Sequence, residues 1–173
     1  MGSPCPGCRH DALVPAVVGG QPAYRCMNCS GYQFNFKHLK KIWSDPERFL
    51  PGFTKMVDRN TGRCHFCGAN VSMANESCQS CGYHFSIIHP RFGEPMLPAT
   101  LGSIKLDYCP RSRDLWLDAD ELVELASLNN WSIWDGTGTP PPEAEKAIKR
   151  HGFVNSVGDV LDAIVAPIAN LFR

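Results

Sequence analysis

The cysteines of this chain carry its clearest chemical signal. Eight of the nine form four C-x2-C pairs, at Cys5/Cys8, Cys26/Cys29, Cys64/Cys67 and Cys78/Cys81. Two such pairs supply four thiolates, which is the ligand set of a tetrahedral structural zinc site. We therefore predict two Zn²⁺ ions per chain, one bound by the first two pairs and one by the last two.

Paired cysteines also form disulfides or hold a rubredoxin-type iron centre, and the sequence leaves both alternatives open. The N-terminus lacks the basic and apolar stretches of a secretory signal, so nothing directs the chain to an oxidising compartment. This favours zinc and predicts a cytoplasmic protein. Because protein fills all four ligand positions, neither site leaves a position for a catalytic water, and the zinc is predicted to be structural.

Each pair of cysteines needs a tight turn, and two turns facing each other need a short β-hairpin. Gly68 and Gly82 directly follow the last cysteine of two pairs, where a positive φ lets backbone N–H groups turn toward the sulfurs. Gly31, two residues after Cys29, is a weaker arrangement. The apolar residues are scattered between Gly, Pro and Cys clusters, so we predict a small, metal-stabilised, mostly β fold of tandem zinc ribbons.

A third ribbon is predicted from an internal repeat with an offset of 83 residues, which places Cys26 on Cys109 and Leu39 on Leu122. The ligand positions of this third unit would be Ile88, Arg91, Cys109 and Ser112. One thiolate cannot hold a structural zinc. We therefore predict a degenerate, metal-free ribbon.

Residues 107–125 resemble the second half of a bacterial zinc-ribbon family that is named for its likeness to the ribbon of transcription factor IIB. The resemblance rests on Cys109-Pro110-Arg111-Ser112, followed by Trp116-Leu117-Asp118 and Glu121-Leu122. Residues 4–43 resemble the family more weakly, with Gln33-Phe34-Asn35 in place of Trp-Leu-Asp. The resemblance implies zinc-ribbon folds followed by short helices, and it implies no activity, since most members have none assigned.

Helices are predicted after the ribbons. Asp118 and Glu121 form a capping-box pattern that predicts a helix over 119–128. A second helix is predicted from Glu143 to His151, and a short turn before Pro51-Gly52. The predicted domains are a ribbon with its helix at 1–50, a second ribbon at 61–88, a degenerate ribbon with its helix at 89–130, a Gly/Pro linker at 131–142 and a helical arm at 143–173.

The C-terminal arm is predicted to be an amphipathic helix, because apolar residues recur at helical spacing from Phe153 to Phe172. No apolar run is long enough to span a membrane. The acidic Asp159 and Asp162 on the polar face argue against contact with a membrane surface. Packing on its own ribbons, self-association and binding of a protein partner all stay open. The predicted partner-binding residues are Phe153, Val157, Leu161, Ile164, Ile168 and Leu171.

The charge of the chain excludes a nucleic-acid footprint over its whole length, because 17 acidic residues balance 17 basic ones. A local nucleic-acid-binding site at the first ribbon stays open, since aromatic residues there are interleaved with basic residues. The predicted contacts are Arg25, Lys37, Lys40 and Lys41. Packing of the hairpin is the competing explanation for these aromatic residues.

The pattern favours a non-enzymatic protein-interaction adaptor or assembly subunit, with a nucleic-acid-binding or transcription-linked module as the alternative. No general-base, nucleophile or phosphate-binding pattern is visible. Cys109 could be a ligand with His84 or His89, a reactive thiol or a half-buried relic, and we favour the relic. The residues predicted to form the small core of the third unit are Trp116, Trp131 and Trp134.

Overall fold

The computed structural model describes residues 4–45 and 47–151. Most of the predicted C-terminal arm lies outside these residues. This includes all six predicted partner-binding residues, which are Phe153, Val157, Leu161, Ile164, Ile168 and Leu171. Among the described residues, no helix is both long enough and apolar enough to cross a membrane.

The fold is small and mostly β, as predicted. Nine strands are present in the described residues: β1 (Leu13–Val18), β2 (Gln21–Cys26), β3 (Tyr32–Asn35), β4 (Thr61–Arg63), β5 (Asn70–Ser72), β6 (Leu97–Leu101), β7 (Ile104–Tyr108), β8 (Asp114–Leu117) and β9 (Ile133–Trp134). Seven of them form one antiparallel sheet in the order β6-β7-β8-β3-β2-β1-β9, and β4 and β5 form a separate hairpin. The edge strand β9 lies within the segment predicted as a linker.

Four helices accompany the strands in the described residues: α1 (Phe36–Ile42), α2 (Leu50–Asp58), α3 (Ala119–Asn129) and α4 (Pro142–His151). The predicted helices over 119–128 and 143–151 are confirmed as α3 and α4. The backbone N–H of Asp118 donates to Glu121 Oε2 at 2.9 Å, as the capping-box pattern requires.

Helix α2 is not predicted from the sequence, which indicates a turn before Pro51-Gly52. Pro51 lies in the first turn of α2, where its missing N–H costs no helical hydrogen bond. The buried residues of α2 are Leu50, Phe53 and Val57, which lie on one face at helical spacing. This spacing is the signal that could have identified the helix.

The centre of the large sheet joins two similar halves. The halves β1-β2-β3 and β6-β7-β8 follow each other at the offset of 83 residues, to within one or two residues at their ends. Strands β3 and β8 pair with Gln33 opposite Trp116 and with Tyr32 opposite Leu117. Because the offset places Gln33 on Trp116 itself, the two halves meet about a local two-fold axis at this pair. The segments 1–50 and 89–130 thus contribute to one sheet.

The main hydrophobic core lies on one face of this sheet, under α1, α2 and α3. Tyr32, Phe34, Leu115 and Leu117 are buried there. Alternation along a strand directs Gln33 and Trp116 to the opposite face. The three tryptophans predicted to form the core of the third unit do not pack together. Trp131 packs at the edge of the main core, Trp134 packs beside α4, and Trp116 packs beside the first cysteines.

The β4-β5 hairpin docks against β6 and β7. A Cβ at Gly62 would lie 2.1 Å from the carbonyl oxygen of Pro98, so the close approach of the two backbones requires glycine here. His65 Nε2 lies 3.0 Å from the carbonyl oxygens of both Ala99 and Leu106. The Tyr108 hydroxyl donates to the Thr61 carbonyl at 2.7 Å. These contacts fix the second set of cysteines relative to the sheet.

Candidate metal centres

The structure brings the eight paired cysteines into two clusters of four. In each cluster the four Sγ atoms lie within 4.8 Å of one another, so that each could hold a metal ion. The members of the first cluster are Cys5, Cys8, Cys26 and Cys29, and those of the second are Cys64, Cys67, Cys78 and Cys81. Within the described residues, no third group of three or more His, Cys, Asp or Glu side chains has this arrangement.

The distances between sulfurs distinguish metal coordination from disulfide bonding. Sγ of Cys5 lies 3.6 Å from Sγ of Cys29, and Sγ of Cys64 lies 3.6 Å from Sγ of Cys81. A disulfide requires about 2.0 Å. Sulfurs bound to one tetrahedral Zn²⁺ at about 2.3 Å are about 3.8 Å apart. None of the nine cysteines forms a disulfide.

The four cysteine pairs share one backbone turn. The N–H of the first cysteine donates to the carbonyl five residues later, and the N–H four residues later donates back to that cysteine's carbonyl, all at 2.8–2.9 Å. The residue at this fourth position has a left-handed φ of 62–75°. These residues are Arg9, Ser30, Gly68 and Gly82. The prediction for Gly68 and Gly82 is confirmed, whereas in the first cluster Ser30 takes the position that the sequence suggested for Gly31.

The turns also aim backbone N–H groups at the sulfurs. The N–H groups of Cys8 and Cys29 lie 3.4 and 3.5 Å from the Sγ atoms of Cys5 and Cys26. In the second cluster the N–H of Phe66 lies 3.4 Å from Sγ of Cys64. Such donors favour the thiolate over the thiol, as a metal site requires.

The thiols of the first cluster differ in acidity. The backbone N–H of His10 lowers the pKa of the Cys8 thiol to about 5. Burial raises the pKa of the Cys5 thiol. Backbone donors therefore favour the thiolate form of the cluster and burial favours its thiol form, so that some ligands lose a proton only when a cation binds. Metal binding to this cluster is therefore coupled to proton release.

The same backbone turn occurs twice more, without a pair of cysteines. His89 N–H donates to the Glu94 carbonyl at 2.9 Å, and Cys109 N–H donates to the Asp114 carbonyl at 2.8 Å. The left-handed residues are Gly93 and Arg113, with φ of 66° and 61°. The sequence placed the first of these turns on Ile88 and Arg91, which is wrong by one residue. The positions that match the cysteine ligands are His89, Phe92, Cys109 and Ser112.

Hydrogen bonds connect these two turns. His89 is 3% exposed, and its Nε2 lies 3.2 Å from both Asp114 Oδ2 and Ser112 Oγ. Asn35 Nδ2 donates to Asp114 Oδ1 at 2.7 Å and to the Ser112 carbonyl at 3.2 Å. Burial raises the pKa of Asp114, but the hydrogen bonds from His89, Asn35 and Ser112 outweigh it and hold the pKa below its ordinary value.

The Ser112, His89 and Asp114 side chains do not form a catalytic triad. In a triad the serine and the aspartate contact opposite nitrogens of the imidazole ring. Here both contact Nε2, and the Arg91 N–H donates to Nδ1 at 3.3 Å. The ring therefore cannot pass a proton from the serine toward the carboxylate.

Trp116 packs between the first cysteine cluster and Cys109. A Cβ at Gly7 would lie 2.9 Å from Cζ2 of Trp116, and a Cβ at Gly31 would lie 2.3 Å from the same atom. The indole thus packs directly on both turns of the first cluster. Its Nε1 is buried and has no hydrogen-bond partner. The buried residues around it are Cys5, Cys26, Met96 and Cys109.

The four residues predicted for nucleic-acid binding do not share one environment. Arg25 forms an ion pair with Asp135 at 3.6 Å and is 19% exposed. Lys37, Lys40 and Lys41 lie exposed on α1. The neighbouring aromatic residues Tyr32, Phe34 and Phe36 are buried in the main core. Packing therefore accounts for these three rings.

No family model, curated protein or solved structure matches this chain. The resemblance of residues 107–125 to the bacterial zinc-ribbon family therefore stays a hypothesis.

Proposed function

We propose that this chain is a structural zinc protein that binds two Zn²⁺ ions, one in each cysteine cluster. The observation that carries the proposal is the grouping of four sulfurs within 4.8 Å in each cluster, with two pairs of them 3.6 Å apart, which fits a tetrahedral ion. Elemental analysis of protein purified without added metal should give two zinc ions per chain. Iron in place of zinc, or no metal at all, would refute the assignment.

The third unit is a ribbon that has lost its metal. Support comes from the two turns at His89 and Cys109, which repeat every backbone hydrogen bond of the cysteine turns. The polar network of His89, Ser112 and Asp114 then links the turns, as an ion does in the other units. This is a metal-free member of a series of three ribbons.

The protein acts without catalysis. Four protein ligands at each zinc leave no coordination position for a substrate or an activated water. The Ser112, His89 and Asp114 cluster lacks the geometry of a triad, and its imidazole is buried. Both features support a structural role for the ribbons.

The ribbons present a C-terminal arm that binds a protein partner or a second copy of the chain, so the protein is an adaptor or assembly subunit. Support comes from the apolar stripe of the sequence from Phe153 to Leu171. Deleting residues 153–173 should leave two zinc ions per chain, because all eight cysteine ligands precede this segment. It should abolish self-association or partner capture.

A point substitution tests whether the apolar stripe itself, and not merely the presence of the arm, is needed for binding. Leu161→Asp places a charge within the stripe and should act like the deletion. Ser156→Asp adds the same charge on the polar face and is the matched control. Light scattering and affinity capture measure the effect. If the deleted, Leu161→Asp and full-length proteins show the same mass and the same captured proteins, the adaptor role is refuted.

A further inference from the structure

A groove lies between α2 and the β4-β5 hairpin, with Thr100 and Gly102 completing its lining. Its volume is about 540 Å³. Basic residues from both elements line it, namely Lys55 and Arg59 on α2 and Arg63 on β4. Gly52, Gly62 and Gly102 also line the groove, and they do not narrow it because they carry no side chain.

The positive charge of this groove is not balanced locally. No acidic residue lines it. Within the described residues, none of Lys55, Arg59 and Arg63 forms an ion pair, and all three are exposed. Asp58, the only acid of α2, pairs with Arg113 at 3.3 Å. A chain of zero formal charge thus concentrates unpaired cations at one groove.

A strained, exposed stack lies beside the groove: Phe49 lines the groove itself, and Arg48 lines the adjoining pocket that shares Phe49 and Gly102 with it. Phe49 has a φ of 59°, which a bulky side chain rarely adopts, and it is 47% exposed. The Arg48 guanidinium lies 4.9 Å from the centre of the Phe49 ring. The Trp43 indole N–H donates to the Arg48 carbonyl at 3.2 Å, which fixes this turn. The fold thus holds a flat cation at the surface at the cost of backbone strain.

We propose that this groove binds single-stranded nucleic acid. Phosphates contact Lys55, Arg59 and Arg63, and one base stacks on the Arg48 guanidinium. The three cations alone could bind any polyanion, including an acidic peptide. The planar Arg48 guanidinium on Phe49 favours nucleic acid, because a base can stack on it and an acidic side chain cannot. The site lies on α2 and β4, away from the α1 lysines of the first ribbon.

The test is fluorescence anisotropy with labelled 12-mers of oligo-dT and oligo-rU and the full-length, zinc-loaded protein. The expected dissociation constant is on the order of 10–100 µM near physiological salt. Three phosphate contacts predict a slope of log K against log salt of about −2.1, which is roughly 20-fold weaker binding at 200 mM than at 50 mM salt. Equal binding of both oligomers means that the groove does not read the sugar, and DNA-only or RNA-only binding assigns its natural polymer.

Variants locate the site. Arg59→Gln with Arg63→Gln removes two of the three contacts and should reduce the salt slope to about −0.7. Arg48→Lys keeps the charge and loses the planar group, so it should weaken binding about 5-fold or more with little change in slope. The matched control replaces Lys37, Lys40 and Lys41 by Gln and should bind as the wild type does.

Three results would overturn the proposal: no binding at 50 mM salt, loss of binding in the α1 control instead of the groove variants, or no effect of Arg48→Lys together with equal displacement by polyglutamate. The last result would assign the groove to an acidic protein. Zinc content is measured on every variant. If a variant keeps two zinc ions but does not bind the oligonucleotide, the loss of binding is due to the groove and not to the metal sites.

Discussion

Trp116 occupies the space that a side chain at Gly31 would need. A Cβ at position 31 would lie 2.3 Å from Cζ2 of the indole, which is 2% exposed and belongs to the other half of the sheet. The first cysteine cluster is therefore covered by a residue that lies 85 positions later in the chain. The two halves depend on each other at this contact.

Gly31→Ala should destabilise the protein, because the new methyl group must displace a buried indole. Overpacking of this kind costs about 1–3 kcal/mol. Urea unfolding followed by tryptophan fluorescence measures the change. The control is Gly52→Ala on α2, where a Cβ would meet no atom within 4 Å and alanine favours the helix. Equal midpoints for the two variants would contradict the packing.

Cys78→Ser and Cys109→Ser should differ in zinc content, although both residues are buried. Cys78 belongs to a cluster of four sulfurs and Cys109 does not. Cys78→Ser should release one zinc ion and unfold the second ribbon. Cys109→Ser should keep both ions and cost no more than about 1–2 kcal/mol. Elemental analysis and unfolding curves test this, and equal zinc loss would refute a metal-free third unit.

Three cysteines should restore a metal site in the third unit. The combined substitution His89→Cys, Phe92→Cys and Ser112→Cys supplies four thiolates with Cys109 on turns that already have the required backbone. We expect three zinc ions per chain. The matched control, Ile88→Cys, Arg91→Cys and Ser112→Cys, follows the register inferred from the sequence and should bind two. Three ions in the control and two in the first variant would show that Ile88 and Arg91, and not His89 and Phe92, match the cysteine ligands.

Asp107→Asn should alter the dependence of stability on pH. Burial, with smaller contributions from Glu121 and Asp118, raises the pKa of Asp107 to about 8. The folded protein therefore keeps a proton that the unfolded chain releases above its ordinary pKa of 3.8, and stability falls as the pH rises through 8.

Asparagine does not titrate, so the variant lacks this loss of stability. The free energy of unfolding of the variant minus that of the wild type should rise by about 2 kcal/mol from pH 6.5 to pH 9. Urea midpoints at the two pH values measure this gain. Asp120→Asn, at an exposed position on α3, is the control. A gain that does not change with pH would contradict the burial of the Asp107 charge.

Spacing alone was sufficient to group the eight cysteines, because the C-x2-C pair is a local pattern. The repeat was also visible, since Cys26, Leu39 and their counterparts keep an offset of 83 residues through the hairpin and helix. The ligand register of the third unit was not visible. His89 lies at an offset of 84 from Cys5, because the third unit has one residue fewer between its first turn and its second.

Long-range contacts were beyond the sequence. Nothing local indicates that β3 pairs with β8, or that Trp116 packs on Gly7 and Gly31 instead of joining Trp131 and Trp134. The cationic groove also depends on tertiary structure, because Arg63 meets Lys55 and Arg59 only after the β4-β5 hairpin docks beside α2.

The pairing of β3 with β8 has a consequence during synthesis. When β3 leaves the ribosome, the strand that will cover its edge has not been made, and about 80 residues must still be added. At about 5–20 residues per second this takes about 4–16 s. Throughout that time the nascent first ribbon exposes a bare strand edge, which is the kind of surface that recruits other chains. Early zinc capture by Cys5, Cys8, Cys26 and Cys29 would hold this unfinished half in shape until its counterpart emerges.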